Sequence, residues 1–489
     1  MPASQFPIVD GFYSVAPWSA EDTVNWLPVP AESAGARTQF KLRTPPGLKL
    51  FATIDSGPIR GWVNVNGTAY VVSNRSLYKM ASDGTATKLG TVPGTGLVSM
   101  TYGLADTGYQ VVVVNGTVGY LYDSGAKTFK RISDSAFPGG SVIDYINGYF
   151  IGIEPSKRYF FISTAGDAAT YDSTDRFQAE GAPDRLVTLK VFNNEVWLFG
   201  QRTIEVWGAT GDSTAKFARQ NNTVLDVGCA SANGVAKVDN GIFWLGDDGS
   251  IYRNNGYGQQ RISNDGIEQA ISGCAWSSAV AFSWSSKGHK VVYWSFPDGQ
   301  TFGYDCWTQK WHRRQTFGLE RWRIQNSLYW NGQWLVGDIT SGNIYTLDWD
   351  TYSENGKPLI SSRTSGVIQA DGDYLTVDGV ELYFDTGHAG STVAQWLATE
   401  SGDWLVTEDG DYLLVSGSDT AEATVQLSYS DDWGRNFTNI RYADLGAIGE
   451  YRKRVRFHRM GRTRGRIYRI QVSSPCQHDL LGGTINITR

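Results

Sequence analysis

The acidic residues that could serve a hydrolase stand in or beside predicted turns. The candidates are Asp247, Asp248, Asp348, Asp350, Asp431 and Asp432. A glycosidase needs two carboxyl groups at a defined separation, or a tyrosine nucleophile with a cluster of arginines. Aspartate is expected in turns for another reason, because its side chain hydrogen-bonds to nearby backbone. We therefore interpret these acids as turn residues, and we predict no catalytic residue and no enzyme.

Residues Ser430 to Phe437, read SDDWGRNF, match the Asp-box pattern S-x-D-x-G-x-x-F. The motif occurs in sialidases, which are β-propellers, and so it raises a propeller glycosidase or polysaccharide depolymerase as an alternative function. An Asp box is itself a turn, in which the aspartate caps the loop and the aromatic residue packs beneath it. It lies outside the catalytic site even in sialidases. We predict a structural turn here.

No set of residues in the sequence has the spacing of a metal or cofactor site. The five histidines are His289, His312, His388, His458 and His478, and none has the spacing of a zinc site. No nucleophile elbow, phosphate-binding P-loop or dinucleotide fingerprint is present. We predict no metal and no cofactor.

The segment Tyr451 to Arg469, read YRKRVRFHRMGRTRGRIYR, concentrates positive charge in a chain of net charge -6. Its cations are Arg452, Lys453, Arg454, Arg456, Arg459, Arg462, Arg464, Arg466 and Arg469. Apolar and basic residues alternate, which predicts two strands of one hairpin with a turn at Met460 to Gly465. The basic face could contact phosphates, pair with acidic loops of a partner or neighbouring subunit, or simply face solvent.

The elements that would position these residues are predicted to be strands throughout. The chain has 56 glycines, 18 tryptophans, 25 tyrosines and 21 phenylalanines but only 15 prolines. This composition is typical of short strands and tight turns. The longest purely aliphatic run, Val111 to Val114, is far too short to span a bilayer, and residues 1 to 8 lack the character of a signal peptide. We expect an all-β protein without a membrane span.

A hairpin unit typified by Val238 to Arg253, read VDNGIFWLGDDGSIYR, recurs along the chain. Its returning strand appears at Leu77-Tyr78, Leu121-Tyr122, Phe160-Phe161, Glu205-Val206, Ile251-Tyr252, Gly303-Tyr304 and Ile344-Tyr345. Turns at Asn66-Gly67, Asn147-Gly148, Asn193-Asn194, Asn240-Gly241 and Asn331-Gly332 often precede the outgoing strand. A period of about 40 to 50 residues with about four short strands is typical of propeller blades. We count seven units, although six blades would also fit because terminal strands often share a blade.

Two regions flank the predicted propeller at 46–350. Residues 1–45 are rich in proline yet carry aromatic residues, and we expect an extended arm packed on its own body or on a neighbouring subunit. Its candidate subunit contacts are Phe12, Tyr13, Trp18 and Trp26. Residues 351–489, which include a predicted linker at Ser353 to Lys357, are expected to form a β-sandwich-like domain. The repeat of Asp-Gly-Asp-Tyr-Leu at 371–375 and 409–413 predicts an inserted hairpin near 395–420.

Several features together resemble the tail nozzle or hub proteins of short-tailed bacteriophages, also called packaged-DNA stabilisation proteins. They are Asp22 to Pro28 (DTVNWLP), Arg43 to Leu48 (RTPPGL), the aromatic hairpins, and Ser430 to Phe437 followed by the Arg-rich segment and Val472 to Pro475. The Asp-Gly-Asp-Tyr-Leu repeats are also of a kind seen in phage structural proteins. The resemblance spans most of the chain.

The resemblance implies a structural virion protein of the tail, assembled in the host cytoplasm. It implies a homo-oligomeric ring of six copies that extends the DNA channel and helps to retain the packaged genome. Its partners would be a tail adaptor ring, a tail needle or plug, and tail fibres or tailspikes. Double-stranded DNA would pass through without sequence-specific binding, which suits a net acidic chain. A cellular propeller that binds glycan or protein is a further alternative.

Overall fold

The computed structural model describes residues 3–9, 13–14, 20–33, 35–36, 38–106, 108–221, 223–370, 372–387, 395–396, 414–415 and 423–488. Within them the regular secondary structure is almost entirely strand, with one short helix, α1 (Asp265–Ile271), and one 3-10 turn at Trp276–Ser278. No helix in the described part of the chain has the length and apolar character needed to traverse a bilayer.

The strands before the first blade are β1 (Ala3–Phe6), β2 (Asp22–Val24), β3 (Leu27–Pro30), β4 (Phe40–Arg43) and β5 (Gly47–Thr53). The first blade contains β6 (Ile59–Val65), β7 (Thr68–Ser73), β8 (Ser76–Met80) and β9 (Ala86–Thr91). The second contains β10 (Ser99–Ala105), β11 (Gly108–Val114), β12 (Gly119–Asp123) and β13 (Thr128–Arg131). The third contains β14 (Ile143–Ile146), β15 (Tyr149–Ile153), β16 (Tyr159–Thr164) and β17 (Asp167–Gln178).

The fourth blade contains β18 (Leu186–Phe192), β19 (Glu195–Gly200), β20 (Ile204–Ala209) and β21 (Phe217–Arg219). The fifth contains β22 (Val235–Val238), β23 (Gly241–Leu245), β24 (Ile251–Asn255) and β25 (Gly258–Arg261). The sixth contains β26 (Val280–Ser286), β27 (His289–Ser295), β28 (Thr301–Asp305) and β29 (Lys310–Arg314). The seventh has β30 (Ile324–Trp330), β31 (Gln333–Asp338) and β32 (Asn343–Asp348).

The described residues therefore contain seven blades, as counted from the repeats, and not six. The seventh blade takes its outer strand from the other end of the array, because β5 pairs antiparallel with β32. Its inner strand β30 contacts β6 of the first blade. One blade thus joins the beginning and the end of the propeller, and the ring closes without an exposed end blade.

Asparagine and glycine form the turns between the first two strands of most blades, as predicted. Asn66-Gly67, Asn147-Gly148, Asn193-Asn194 and Asn331-Gly332 have positive φ at both positions, which is the geometry of a type I′ turn. In the fifth blade the turn is Asp239-Asn240, and Gly241 already belongs to β23. The turn predicted for this blade is therefore one residue too late.

Polar side chains on the inner strands link neighbouring blades around the central channel. Each reaches a backbone carbonyl on the next inner strand, at 2.6–3.1 Å: Ser99 to Ile143, Lys237 to Val191, Ser283 to Lys237, Ser327 to Ser283, and Trp62 to Ser327. Between the first and second blades, the Val98 N–H donates to the Arg60 carbonyl instead. These bonds pair polar groups at the ends of separate sheets.

The C-terminal strands are β33 (Ser353–Glu354), β34 (Lys357–Pro358), β35 (Ser361–Thr364), β36 (Ile368–Gln369), β37 (Leu375–Phe384), β38 (Gln395–Trp396), β39 (Leu414–Val415), β40 (Thr424–Ser430), β41 (Arg441–Asp444), β42 (Val455–Thr463), β43 (Gly465–Val472) and β44 (Leu480–Thr488). One sheet of the sandwich runs β3-β4-β44-β37-β42, with β1 also on β44. The other contains β2-β35-β43-β40-β41. Strands β38 and β39 pair antiparallel near the predicted insertion, whose Asp-Gly-Asp-Tyr-Leu copy at 409–413 lies outside the described residues.

The described part of the first 45 residues supplies four strands to the sandwich, so the segment expected to be an extended arm is folded into the body of its own chain. Strand β2 pairs in parallel with β29 of the sixth blade and antiparallel with β35 of the sandwich. A single sheet therefore runs from the sixth blade into the C-terminal domain. Phe6, Trp26 and Leu42 are fully buried in the sandwich core, which accounts for the aromatic content of this proline-rich segment.

The predicted linker at Ser353 to Lys357 is wrong, because these residues form the β33–β34 hairpin against β5. Asn355 and Gly356 make its turn. The Glu354 side chain is fully buried against the propeller. The polar composition that suggested a linker belongs to a tight turn and a buried ion pair.

Candidate interface of the C-terminal domain

Five of the nine basic residues of 452–469 lie on strands β42 and β43, which do not pair with each other, and the other four lie just before β42 or between the two strands. Strand β42 pairs with β37 in one sheet, whereas β43 pairs with β35 and β40 in the other. The chain crosses between the sheets at Arg464, where the Thr463 hydroxyl bonds to the Gly465 backbone. The predicted hairpin with a turn at Met460 to Gly465 is therefore wrong, because each strand finds its partners far away in sequence.

Strand β42 is an edge strand with a basic outer face. Val455, Phe457 and Met460 are buried, while Arg456 and His458 between them are exposed. The strand bulges at Arg459, whose φ is +56°. The Arg441 guanidinium donates to the carbonyls of His458 (2.9 Å) and Arg459 (3.3 Å), so part of the free edge is covered.

Three cations, two just before β42 and one near its start, are paired with carboxylates. Arg454 and Arg456 both bond to Glu381 on the neighbouring strand, at 2.7 and 3.0 Å. Lys453 pairs with Asp444 and lies 3.6 Å from Glu450. Pairs this exposed contribute little to stability, about 0–1 kcal/mol each, and Glu381 neutralises only one of its two arginines.

Two of the predicted interface residues make contacts within their own domain: Arg466 is buried and Arg469 is half-buried. Arg466 is almost fully buried and makes a bidentate pair with Asp431, at 2.6 and 2.8 Å. The guanidinium carbon of Arg469 lies 3.6 Å from the centre of the Phe437 ring, and burial lowers the pKa of Arg469. Arg466 and Arg469 therefore hold the Asp-box turn on β43, and we remove them from the candidate interface.

Three of the four remaining cations make up what we call the arginine corner: Arg462 and Arg464, which lie against the ring of Tyr374, and Arg459, an exposed residue three positions before Arg462 on β42. The guanidinium carbons of Arg462 and Arg464 lie 4.2 and 4.5 Å from the centre of the Tyr374 ring, which is 45% exposed. Among the described residues no carboxylate lies within ion-pair distance of these three arginines. Contact with the ring orients two guanidinium groups, and a guanidinium group carries five N–H donors that can bind an acidic partner. Arg452 is likewise exposed and has no ion pair among the described residues.

The sequence does not identify Tyr374 as part of this group. Tyr374 belongs to the Asp-Gly-Asp-Tyr-Leu repeat, which predicts only a turn and a strand. Two further exposed residues, Ile448 and Tyr451, are each 68% accessible on the loop before β42. Their loop is anchored by the Gly449 N–H to the Gly387 carbonyl (3.1 Å) and by the Thr386 hydroxyl to the Glu450 carbonyl (2.8 Å). The sequence signal for these two is apolar residues immediately before a basic run.

The Asp box is a capped turn in the structure. Asp432 accepts from the Ser430 hydroxyl (2.6 Å) and from the backbone of Arg435 and Asn436 (3.0 and 2.9 Å). Hydrogen bonds from Ser430 and from the Asn436 backbone and side chain lower the pKa of Asp432 to about 2. A carboxylate held ionised by three donors in this way is suited to hold a loop and unsuited to donate a proton.

The remaining acids also serve turns. Asp247 accepts from the Gly228 N–H (2.8 Å), and Asp248 from the Ser250 N–H (3.0 Å) and the Tyr252 hydroxyl (2.7 Å). Asp348 accepts from the Asp350 N–H (3.2 Å) and the Thr351 hydroxyl (2.7 Å). Across the described residues no group of three or more His, Cys, Asp or Glu side chains is arranged to hold a metal ion.

The aromatic residues proposed for subunit contact have different positions. Trp26 is fully buried in its own chain, with its indole N–H 3.3 Å from the His478 carbonyl, so it presents no surface to a neighbour. Tyr13 packs edge-on against Phe302 of the sixth blade, at 5.4 Å between ring centres. Burial, with the nearby Asp22, raises the pKa of Tyr13 to about 12. Phe12 and Trp18 lie outside the described residues.

Comparison with known proteins covers both domains. A family model described as bacteriophage P22 Gp10, beta-propeller, matches residues 4–352, and one described as bacteriophage P22 Gp10, beta-sandwich, matches residues 362–488. The tail hub protein gp10 of Salmonella phage P22 is 30% identical over 228 residues, which are 44% of this chain and 46% of that protein. The match thus spans about half the length of the curated relative.

The chain is also similar to solved structures, one of which is described as a beta-propeller domain. They include virginiamycin B lyase from Staphylococcus aureus, with 11% identity and a TM-score of 0.42 over 61% of this chain and 98% of that chain. The Cps50 (Swd1) beta-propeller domain of Myceliophteria thermophila shows 8% identity and a TM-score of 0.42, with the same coverage.

The two family models match the propeller and the sandwich in the order in which the chain contains them. The tail hub family is structural, so the prediction that the protein is not an enzyme and the resemblance noted from the sequence are both confirmed. The chain therefore belongs to the bacteriophage P22 Gp10 family of structural tail hub proteins and carries both its β-propeller and its β-sandwich domain.

Proposed function

We propose that this protein forms the nozzle ring of the tail of a short-tailed phage, where it extends the DNA channel and helps to retain the packaged genome. The observation that supports the proposal is the match of both domains to the Gp10 family over residues 4–352 and 362–488. The ring would be a homo-oligomer of six copies, assembled in the host cytoplasm. It would contact a tail adaptor ring on one side and a tail needle or plug, with tail fibres or tailspikes, on the other.

The distribution of charge supports a ring. A closed ring uses a heterologous contact, in which one surface patch meets a different patch on the next copy. The arginine corner is cationic and lacks carboxylate partners among the described residues, whereas the chain as a whole carries a net charge of -6. A basic corner of one copy facing an acidic surface of the next is the contact that this distribution favours.

Net negative charge also suits a passage for duplex DNA. Cationic groups bind DNA phosphates by releasing counterions, so a basic lining would hold the duplex at low salt. A channel lining without excess positive charge allows the duplex to slide through the ring. In this arrangement DNA contacts the ring without reading its sequence.

Assembly with the adaptor protein of the same particle tests the proposal directly. Mixed with purified adaptor rings, the chain is expected to give a six-fold ring in electron micrographs, stacked coaxially on the adaptor. A chain that stays monomeric in the presence of adaptor, at concentrations where the adaptor itself is a ring, contradicts the proposal.

Charge reversal tests the part assigned to the arginine corner. The variant Arg459→Glu/Arg462→Glu/Arg464→Glu is expected to reduce ring formation at least tenfold without changing the far-ultraviolet spectrum, because it places like charges at the contact. The matched control is Lys79→Glu/Lys88→Glu/Arg131→Glu, three exposed propeller cations. Equal loss of assembly in both variants would show that net charge, and not the corner, governs assembly.

A further inference from the structure

The inner strands of the propeller enclose a polar cavity in the central channel. Its volume is about 390 Å³, within the range of small-ligand sites, which is about 300–1,000 Å³. The charged residues in its lining are Arg60, Asp144, Lys190 and Lys237. They come from the first, third, fourth and fifth blades, so the cavity collects charge from four separate sheets.

Lys190 is the unusual member of this set. Within the described residues its ammonium group has no hydrogen-bond or ion-pair partner. Burial lowers the pKa of Lys190, the nearby Lys237 lowers it further, and Asp144 acts in the opposite direction. Lys190 is half-buried and Lys237 is exposed, so both ammonium groups are accessible to a solute in the channel, and the two cations repel each other.

The other charged groups of the cavity are already engaged. Asp144 accepts from the Val191 N–H and the Tyr145 N–H, both at 2.9 Å, and is not within ion-pair distance of either lysine. The Arg60 guanidinium donates to the backbone carbonyls of Gly96 (2.6 Å), Asn74 (2.9 Å) and Val92 (2.8 Å). Lys237 donates one bond to the Val191 carbonyl, at 2.9 Å, which leaves two of its three donors for another acceptor.

We propose that this cavity binds a small multivalent oxyanion between Lys190 and Lys237 on the inner strands of the fourth and fifth blades. The anion would accept hydrogen bonds from Lys190 and from the two remaining donors of Lys237. It would neutralise the two cations that Asp144 leaves uncompensated. Inorganic phosphate and a short dicarboxylate share this chemistry, and the site is separate from the C-terminal interface.

Calorimetric titration of the full chain with phosphate, with succinate and with chloride at constant ionic strength tests the proposal. Saturable binding with one site per chain is expected for phosphate or succinate, and the stronger of the two identifies the class. Chloride is expected to show no saturable heat. Absence of saturable binding for both multivalent anions would overturn the proposal.

Substitution at Lys190 gives a second, independent measurement. In buffer free of multivalent anions, Lys190→Met is expected to melt at a higher temperature than the wild type, because the repulsion between Lys190 and Lys237 has been removed. The same variant is expected to bind phosphate or succinate at least tenfold more weakly. Its melting temperature is expected not to rise when either anion is added. Lys130 is an exposed lysine on β13. Lys130→Met is expected to match the wild type in both melting temperature and anion binding.

Asp144→Asn separates this proposal from a purely structural role of the cavity. The amide oxygen can still accept one backbone N–H, while the negative charge that opposes an anion is gone. The variant is expected to bind the anion at least threefold more tightly. Unchanged binding in both Lys190→Met and Asp144→Asn would place any bound anion elsewhere.

Discussion

Buried charged residues hold the β33–β34 hairpin, which follows the seventh blade, to the end of the sixth blade. Glu354 is fully buried and accepts from the Thr316 hydroxyl (2.6 Å) and the Trp322 indole N–H (2.9 Å). The Arg314 guanidinium lies 3.6 Å from the Glu354 carboxylate and stacks on the Trp322 ring at 4.5 Å. Burial raises the pKa of Glu354, with Arg314 opposing that shift. The sequence suggests a linker here because most of these residues are polar and two of them favour a turn.

Glu354→Ala is expected to lower the free energy of unfolding by about 3–5 kcal/mol, since it leaves the buried Arg314 without its counter-charge. Denaturant titration followed by tryptophan fluorescence measures the change. Glu450→Ala removes an exposed partner of Lys453 and serves as the control, with little change expected. If both variants unfold at the same denaturant concentration as the wild type, the buried pair does not stabilise the junction.

Two buried histidines make stability sensitive to mild acid. Burial lowers the pKa of His312 to about 3 and that of His478 to about 4. Both titrate at about 6.5 in the unfolded chain, so the unfolded state takes up protons first as the pH falls below that value. The stabilisation is complete above pH 6.5 and decreases toward pH 4, by up to about 1.4 kcal/mol per pH unit for each histidine.

Melting temperature measured from pH 7.5 to 5 is expected to fall more steeply for the wild type than for His478→Gln. The glutamine side chain cannot take up a proton, although the variant loses the contact of Nδ1 with the Cys476 carbonyl at 2.6 Å and starts from a lower stability. The exposed His458→Gln is the control and should keep the wild-type slope. Parallel curves for wild type and His478→Gln would exclude this histidine as a source of the acid sensitivity.

At the scale of the elements, the blades could be predicted because their signals are local. Asn-Gly and its equivalents accept positive φ at both turn positions, and the flanking strands alternate or run apolar over few residues. The sixth blade is recognisable through its strands alone, since its turn is Lys287-Gly288, with φ of +48° and +89°. Lysine rarely adopts a positive φ, so the sequence does not predict a turn at this position.

The asparagine turns give a prediction on the third blade. Asn147→Ala is expected to destabilise the protein by about 1–2 kcal/mol, because a Cβ at φ +49° approaches the following carbonyl without the local hydrogen bonding of asparagine. Asn147→Gly should be close to neutral, since glycine adopts this φ freely. Denaturant midpoints compare the two variants. Equal destabilisation by alanine and glycine would mean that the asparagine side chain, and not its backbone conformation, matters.

The Arg-rich segment shows what local signals leave out. Its alternation correctly predicts strands but not that β42 and β43 belong to opposite sheets, because pairing is decided by distant partners such as β37 and β35. Charged residues and the bulge at Arg459 on an edge strand also discourage pairing with another chain. The exposed cations of β42 therefore protect the edge of the sandwich, in addition to their proposed role at the arginine corner.

At the scale of the whole molecule, the N-terminal strands connect the two domains. Strand β2 lies between β29 of the propeller and β35 of the sandwich, and β5 completes the seventh blade. Thus a segment that precedes the propeller in sequence holds its last two blades. Pairing of β2 with β29 and with β35 joins residues about 290 and 340 positions apart. No periodicity encodes such a contact, and so the sequence predicts an arm packed on its own body or on a neighbouring subunit without identifying the strands that it pairs with.

This arrangement predicts that propeller and sandwich unfold together. Trp26 lies in the sandwich core, directly after β2, and packs against His478 with 5.7 Å between ring centres. Trp26→Ala should lower the free energy of unfolding by about 3–5 kcal/mol, the usual cost of emptying a buried tryptophan site. Because β2 continues the sheet of the sixth blade, we expect scanning calorimetry to show one endotherm that shifts downward as a unit. Trp433→Ala, at a half-exposed site in the Asp box, is the control and should leave the endotherm in place. Two resolved endotherms, of which Trp26→Ala moves only one, would show that the domains are stabilised separately in spite of their shared sheet.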